Sequence, residues 1–172
     1  MPGQQIRLEQ WANFFVITSA AAATLLGLLF VLITLAVERG RKDTHSIRIY
    51  LTPVVDYFGS VLLMSALPIV PNQTRLSAVT CICLGGIVGL AYSGSLAIRR
   101  GAGSGSYEQR SDLFPYAVIP LGAYLLMVAG GLMLLPWPQI ALDLVAASML
   151  TLLGIAIRNS WAIATTIISS QG

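Results

Sequence analysis

One carboxylate inside an apolar stretch is the side chain in this sequence best suited to chemistry. Asp56 is the only charged residue of an otherwise uncharged run over residues 49–70. If that run crosses a membrane, Asp56 lies about 10 Å from one surface at 1.5 Å per residue. A charged carboxylate at the centre of a span costs about 2.5–3.5 kcal/mol, and less nearer the surface. Asp56 must therefore be protonated, paired with a cation or in contact with water.

Three other polar residues are candidates for an intramembrane site with Asp56. Arg158 is the expected partner, because the last apolar run brings it to the same part of the membrane. Tyr57 and Ser60 are close in sequence, and Ser60 shares a helix face with Asp56 through i, i+4 spacing. The roles left open for Asp56 are a structural ion pair with Arg158, a proton or ion path, and a plain carboxylate near the membrane surface.

The cysteines and the single histidine give little support for a catalytic or metal site. Cys81 and Cys83 are two residues apart, so on a helix their thiols point to different faces, and they are expected to fill apolar space. His45 is the only histidine and has no second ligand of its kind nearby. We find no nucleophile, base and metal set, so the sequence predicts no catalytic residue, no metal and no cofactor, and a protein that is not an enzyme.

A face of small side chains is the strongest pattern in the third apolar run. Its members recur at every fourth position, so on a helix they form one continuous groove. They are Ser77, Cys81, Gly85, Gly89, Ser93 and Ala97. Small residues let two helix backbones approach closely within lipid. Ser19, Ala23 and Gly27 form a shorter face of this kind in the first run. These faces predict either a homo-oligomer interface or packing within one chain.

The elements that carry these residues are five long apolar runs. The chain of 172 residues is 56% hydrophobic and 10% charged, against about 25% charged in ordinary soluble domains. Each run can cross about 30 Å of hydrocarbon as a helix, which satisfies every backbone group internally. The sequence predicts an all-α, polytopic transmembrane helix bundle as one membrane domain over residues 1–172. The five helices are expected over residues 11–37, 49–70, 76–98, 113–135 and 140–160.

The distribution of cations predicts the orientation. Eight of the ten Lys and Arg residues fall on one side in a five-span arrangement: Arg39, Arg41, Lys42, Arg48, Arg99, Arg100, Arg110 and Arg158. Arg7 and Arg75 fall on the other side. The positive-inside rule therefore places the N-terminus outside and the C-terminus in the cytoplasm. Because the cations lie in short connections and not along one surface, no nucleic-acid partner is expected.

Local features at the prolines and at the C-terminal end complete the predicted bundle. Pro53 is expected near the start of the second helix, and Pro120 is expected to kink or bend the fourth. The mildly apolar tail after Arg158 either continues the fifth helix or forms a short helix on the cytoplasmic surface.

The first apolar run carries a resemblance to known sequences. The segments WANFFV at residues 11–16 and AAAATLLGLLFV at residues 20–31 resemble the first helix of small uncharacterised bacterial membrane proteins. The resemblance covers that helix only. It implies a multi-pass protein of the bacterial inner membrane, and it implies no activity, cofactor or site.

Two functions are compatible with these features. The first is a structural or accessory membrane protein that assembles with itself, or with a partner membrane protein, through its small-residue helix faces. The alternative is a small ion or proton channel or transporter in which Asp56 faces a wet path, because an intramembrane acid is a candidate functional residue. In both, the lipid bilayer is the surrounding partner.

Overall fold

The computed structural model describes residues 2–38, 44–70, 73–102 and 118–169. Within these ranges the chain forms five α-helices and a 3-10 turn, and no strand. The helices are α1 (Pro2–Glu38), α2 (Thr44–Ala66), α3 (Arg75–Ala102), α4 (Ile119–Met133) and α5 (Pro138–Ser169), and the 3-10 turn is Leu67–Ile69. The prediction of an all-α chain is confirmed for the described residues.

Three of these helices are long and apolar enough to cross a membrane. The apolar segments are Trp11–Leu35 in α1, Arg75–Ile98 in α3 and Pro138–Thr165 in α5. The apolar segments of the other two helices, Leu51–Ala66 and Ile119–Met133, are shorter. The lengths and composition of these three helices therefore indicate a membrane protein.

Local residue chemistry explains where α3 and α5 begin. The Thr74 hydroxyl accepts the Ser77 backbone N–H at 3.1 Å, and the Thr74 carbonyl accepts the Ala78 N–H at 3.0 Å. Thr74 thus caps the first turn of α3, where backbone N–H groups have no helical acceptor. Between α4 and α5, Pro138 is the first residue of α5, where its missing N–H is tolerated.

Pro53 and Pro120 occupy different positions in their helices from those expected from the sequence. Because α2 begins at Thr44, Pro53 lies inside that helix, and the Ile49 carbonyl lacks its helical N–H donor. Pro120 lies in the first turn of α4, where the lost N–H has little effect on the helix. The first part of the predicted fourth span, residues 113–117, lies outside the described residues.

The C-terminal tail continues the fifth helix. α5 is a single helix of 32 residues through Ser169, so the tail after Arg158 does not form a separate surface helix in the described residues. At 1.5 Å per residue α5 is about 48 Å long, which exceeds the hydrocarbon thickness of about 30 Å.

The helices do not pack in chain order. α1 packs against α2, α2 against α5, α5 against α4, and α4 against α3, so α5 lies between α2 and α4. Fully or almost fully buried side chains from four helices form the core, among them Phe15, Ala22, Val54, Phe58, Val61, Tyr124, Met127, Met149 and Leu152. α1 also exposes large apolar side chains on its other faces, including Val16, Ile17, Leu28, Phe30 and Val31. A helix that is apolar on every face is typical of a membrane span.

Candidate functional site

A tyrosine of α4 connects the two polar residues that the sequence predicted on one face of α2. Tyr124 is fully buried, and its hydroxyl donates a hydrogen bond to Asp56 Oδ2 over 3.1 Å. The Tyr124 oxygen lies 2.9 Å from Ser60 Oγ. Because the phenol has one proton and gives it to Asp56, Ser60 donates its own proton to the phenol oxygen. Asp56, Tyr124 and Ser60, the Asp56 network, therefore join α2 to α4.

Glycine on α3 makes the space that Tyr124 occupies. A Cβ atom built on Gly89 would overlap the Tyr124 ring, and one built on Gly86 would overlap Val128 of α4. The backbones of α3 and α4 approach closely at these positions, as small residues allow between helices in lipid. α3 thereby supports the ring and sets the position of the phenol hydroxyl.

The Asp56 end of the network is not enclosed by the core. Asp56 is only partly buried, whereas Tyr124 is fully buried. Gly59, three residues further along α2, has no atom within 4 Å of the position that a Cβ would take. Among the described residues, none therefore fills the position of a Gly59 side chain on this side of α2.

Arg158 does not partner Asp56 in this structure. Its side chain is exposed, and no ion pair between Arg158 and Asp56 occurs in the part of the chain described. The following residue, Asn159, is fully buried. Successive residues on an α-helix differ by about 100° in direction, so the rotation of α5 turns Asn159 inward and Arg158 outward.

The other predicted polar residue, Tyr57, belongs to the core. Its side chain is fully buried and packs with Val54, Phe58 and Val61 in the hydrophobic cluster. Its neighbour Asp56 points about 100° away around α2. The structure thus brings Asp56 and Ser60 together through Tyr124, and it places the Tyr57 side chain in the core.

The middle of the small-residue face on α3 is occupied by the chain's own helices. Gly85 faces Met64 of α2, Gly89 faces Tyr124 of α4, and Ser93 is fully buried. The outer members, Ser77, Cys81 and Ala97, are partly buried. The sequence left two interpretations of this face open, a homo-oligomer interface and packing within one chain. The geometry of the α3 face matches packing within one chain.

The small-residue face of α1 has a different environment. Ala23 and Gly27 are exposed, and Ser19 is partly buried. A Cβ atom built on Gly27 would have no atom of another described residue within 4 Å. Among the described residues, this face is therefore not covered by another helix.

Sequence reasoning missed Tyr124 and Asn159. Tyr124 lies in the middle of the fourth apolar run, and a phenol buried there needs a hydrogen-bond partner, which is a signal that could have identified it. Asn159 is fully buried, and neither its side-chain oxygen nor its nitrogen has a hydrogen-bond partner among the described residues. No comparable signal marks Asn159, because it follows directly after Arg158 at the end of an apolar run.

The described residues hold no group of three or more His, Cys, Asp or Glu side chains that could bind a metal ion. Cys81 and Cys83 are free thiols on α3. The Cys83 sulfur lies 4.0 Å from the Val128 carbonyl oxygen, which places it in the contact between α3 and α4.

Comparison with known proteins gives no relative for this chain. No protein-family model matches it, and no curated protein or solved structure is detectably similar to it.

Proposed function

We propose that this chain is a multi-pass protein of the bacterial inner membrane that crosses the bilayer five times, with the N-terminus outside and the C-terminus in the cytoplasm. Three helices of sufficient length support this, together with the packing of α2 and α4 into the same bundle. Eight of the ten cations fall on one side in this arrangement, as the positive-inside rule requires of the cytoplasmic side.

Labelling of single cysteines tests this topology. In a variant with Cys81→Ala and Cys83→Ala, Ser104→Cys should react with a membrane-impermeant maleimide only from the cytoplasmic side. Gln139→Cys, at the start of α5, should react only from the outside. Reaction of both cysteines from the same side would exclude the five-span arrangement.

For its activity, we propose a small channel or transporter in which Asp56 binds a proton or small cation within the membrane. The observation that carries this is a carboxylate whose only hydrogen-bond partner among the described residues is a neutral hydroxyl, Tyr124. An intramembrane carboxylate must be protonated, paired or hydrated. No cation among the described residues is paired to Asp56, and in the proposed site a proton, a small cation or water satisfies the carboxylate. The position of a Gly59 side chain, which no described residue approaches within 4 Å, supports access.

Flux measurements on reconstituted vesicles test this activity. The wild-type protein should pass protons or small cations faster than protein-free vesicles, and Asp56→Asn should remove most of that flux. Asp143→Asn is the matched control, because Asp143 is exposed on α5 and is not bonded to Tyr124. Wild-type flux at the protein-free level, or unchanged flux in Asp56→Asn, would contradict the proposal.

A second candidate is a structural or accessory protein that assembles with itself through α1. The observation that favours it is the open small-residue face at Ala23 and Gly27. The α3 face has less support as an assembly surface, because Met64 and Tyr124 fill its middle.

The detergent-corrected mass separates this candidate from the first. Gly27→Leu should shift an oligomer towards monomer, because a bulky side chain keeps two α1 backbones apart. Gly154→Leu is the control, since Gly154 is exposed on α5 with no atom within 4 Å of a built Cβ. A monomeric wild-type protein, or an oligomer unaffected by Gly27→Leu, would exclude assembly through α1.

A further inference from the structure

A cavity of about 640 Å³ lies at one end of the bundle, where the apolar part of α1 begins, α2 ends, and α3 and α5 begin. This volume is in the range of about 300–1,000 Å³ that is typical of small-molecule pockets. Its walls are mainly apolar and include Phe15, Met64, Ile82 and Leu142. None of the three residues of the Asp56 network lines it, so it is a separate feature of the molecule.

The rim of the cavity carries a cation. Among the described residues that line it, Arg75 is the one cation and none is a carboxylate. The Arg75 side chain is exposed, and no ion pair engages it within the described ranges. Asp143, on the second turn of α5, is exposed and does not line the cavity. The Arg75 charge is therefore available to a bound anion.

Two helix N-termini add to this positive potential. α3 begins at Arg75 and α5 begins at Pro138, and both residues line the cavity. The N-terminus of a helix carries a partial positive charge, which favours anions nearby. An apolar interior under such a rim is complementary to an amphiphile with a hydrocarbon chain and an anionic head.

We propose that this cavity binds one acyl chain of an anionic phospholipid, with the lipid phosphate at Arg75. This inference rests on the proposed membrane location, in which the surrounding bilayer supplies such molecules; the large apolar side chains that the helices expose suit that location. Trp11 lines the cavity, and tryptophan is enriched where headgroups meet hydrocarbon. The pocket is the size of a drug-like ligand, which suits one chain and not a whole two-chain lipid. A choline headgroup would bring a second cation to Arg75, so phosphatidylcholine should bind less well.

Fluorescence of Trp11 provides the test. Trp137 and Trp161 are exposed, so Trp137→Phe with Trp161→Phe leaves Trp11 as the only tryptophan of a full-length chain. The protein is placed in phosphatidylcholine vesicles in which a growing fraction of either phosphatidylglycerol or phosphatidylcholine has brominated chains, because bromine quenches tryptophan on contact. Half-maximal quenching should need about fivefold less brominated phosphatidylglycerol, as expected from about 1 kcal/mol per cation near an anionic lipid.

Two pairs of variants separate binding in the cavity from general contact with lipid. Arg75→Gln should abolish the preference for phosphatidylglycerol, whereas Arg158→Gln, which removes an exposed cation on α5 that does not line the cavity, should keep it. Ala78→Phe fills the cavity and should reduce quenching by both lipids. Ala91→Phe is its control, because Ala91 is exposed on the same helix and does not line the cavity.

Three results would overturn the proposal. The first is equal quenching of the wild-type reporter by both brominated lipids. The second is a phosphatidylglycerol preference that survives Arg75→Gln. The third is strong quenching by brominated oleate without a phosphatidylglycerol preference, which would identify a free fatty acid as the ligand.

Discussion

The Tyr124 hydroxyl of α4 and the Asp56 carboxylate of α2 are joined by a 3.1 Å hydrogen bond across two helices that make little direct backbone contact. Ser60 adds a second bond to the same phenol at 2.9 Å. The Tyr124 ring rests on Gly89 of α3, so three helices meet at this side chain. The hydrogen bond between Tyr124 and Asp56 and the packing of the Tyr124 ring on Gly89 can be tested separately.

The first prediction concerns the bond between Asp56 and Tyr124. A double-mutant cycle with Asp56→Leu and Tyr124→Phe should give a coupling energy of about 0.6 kcal/mol, and at most about 1.7 kcal/mol, as measured for hydrogen bonds between membrane helices. Leucine is used because asparagine could still accept the Tyr124 proton. Unfolding in a denaturing detergent measures the free energies, and strict additivity would show that the bond contributes nothing.

The second prediction concerns Arg158, which the sequence suggested as the partner of Asp56. Arg158→Gln should change the free energy of unfolding by no more than about 0.5 kcal/mol, as is usual for exposed side chains. Its effect should add to that of Asp56→Leu, because the two side chains form no ion pair in the described structure. A coupling energy as large as that of Tyr124 would instead support the ion pair.

The third prediction concerns the contact between Gly89 and the Tyr124 ring. Gly89→Ala should destabilise the bundle by about 1–3 kcal/mol, because the added methyl group overlaps a ring in a packed interior. Gly27→Ala is the matched control on α1, where a Cβ meets no atom, and it should be neutral or slightly stabilising. Thermal unfolding in detergent compares the two. Equal effects would mean that α3 and α4 are not in close contact at Gly89.

The fourth prediction uses the same substitution at two fully buried serines. Ser65 on α2 lies 3.1 Å from the Thr18 hydroxyl of α1, whereas the Ser148 hydroxyl of α5 has no partner among the described residues. Ser65→Ala should cost about 0.6 kcal/mol, the average for such a bond. Ser148→Ala should be neutral or stabilising, because it removes a buried hydroxyl without a partner. Thermal unfolding in detergent measures both variants. A larger loss at Ser148 than at Ser65 would contradict this reading.

Much of the local structure could be predicted because helix formation in lipid depends on local sequence. A long uncharged run must satisfy its backbone internally, and proline and polar clusters interrupt it, so five helices follow from the printed sequence. The i, i+4 relationship of Asp56 and Ser60 also depends only on helix geometry. The ends of the helices differ more from the prediction: α2 begins before the apolar run, and α5 continues past Arg158.

The partners of the polar residues could not be predicted, because they depend on the rotation and order of the packed helices. Arg158 and Asn159 are neighbours in sequence, yet one is exposed and the other is fully buried. Tyr124 is nearly seventy residues from Asp56, and nothing in either run indicates that the two helices face each other.

The sequence alone predicts a membrane bundle of apolar helices, with one carboxylate inside an apolar run and a face of small residues on α3. Each of these features depends only on residues that are neighbours on one helix. Only the tertiary structure decided that Tyr124 is the partner of Asp56 and covers Gly89, and that the α1 face stays open. The reason is physical: a helix pattern states which residues share a face, whereas the packing of several helices determines what each face meets.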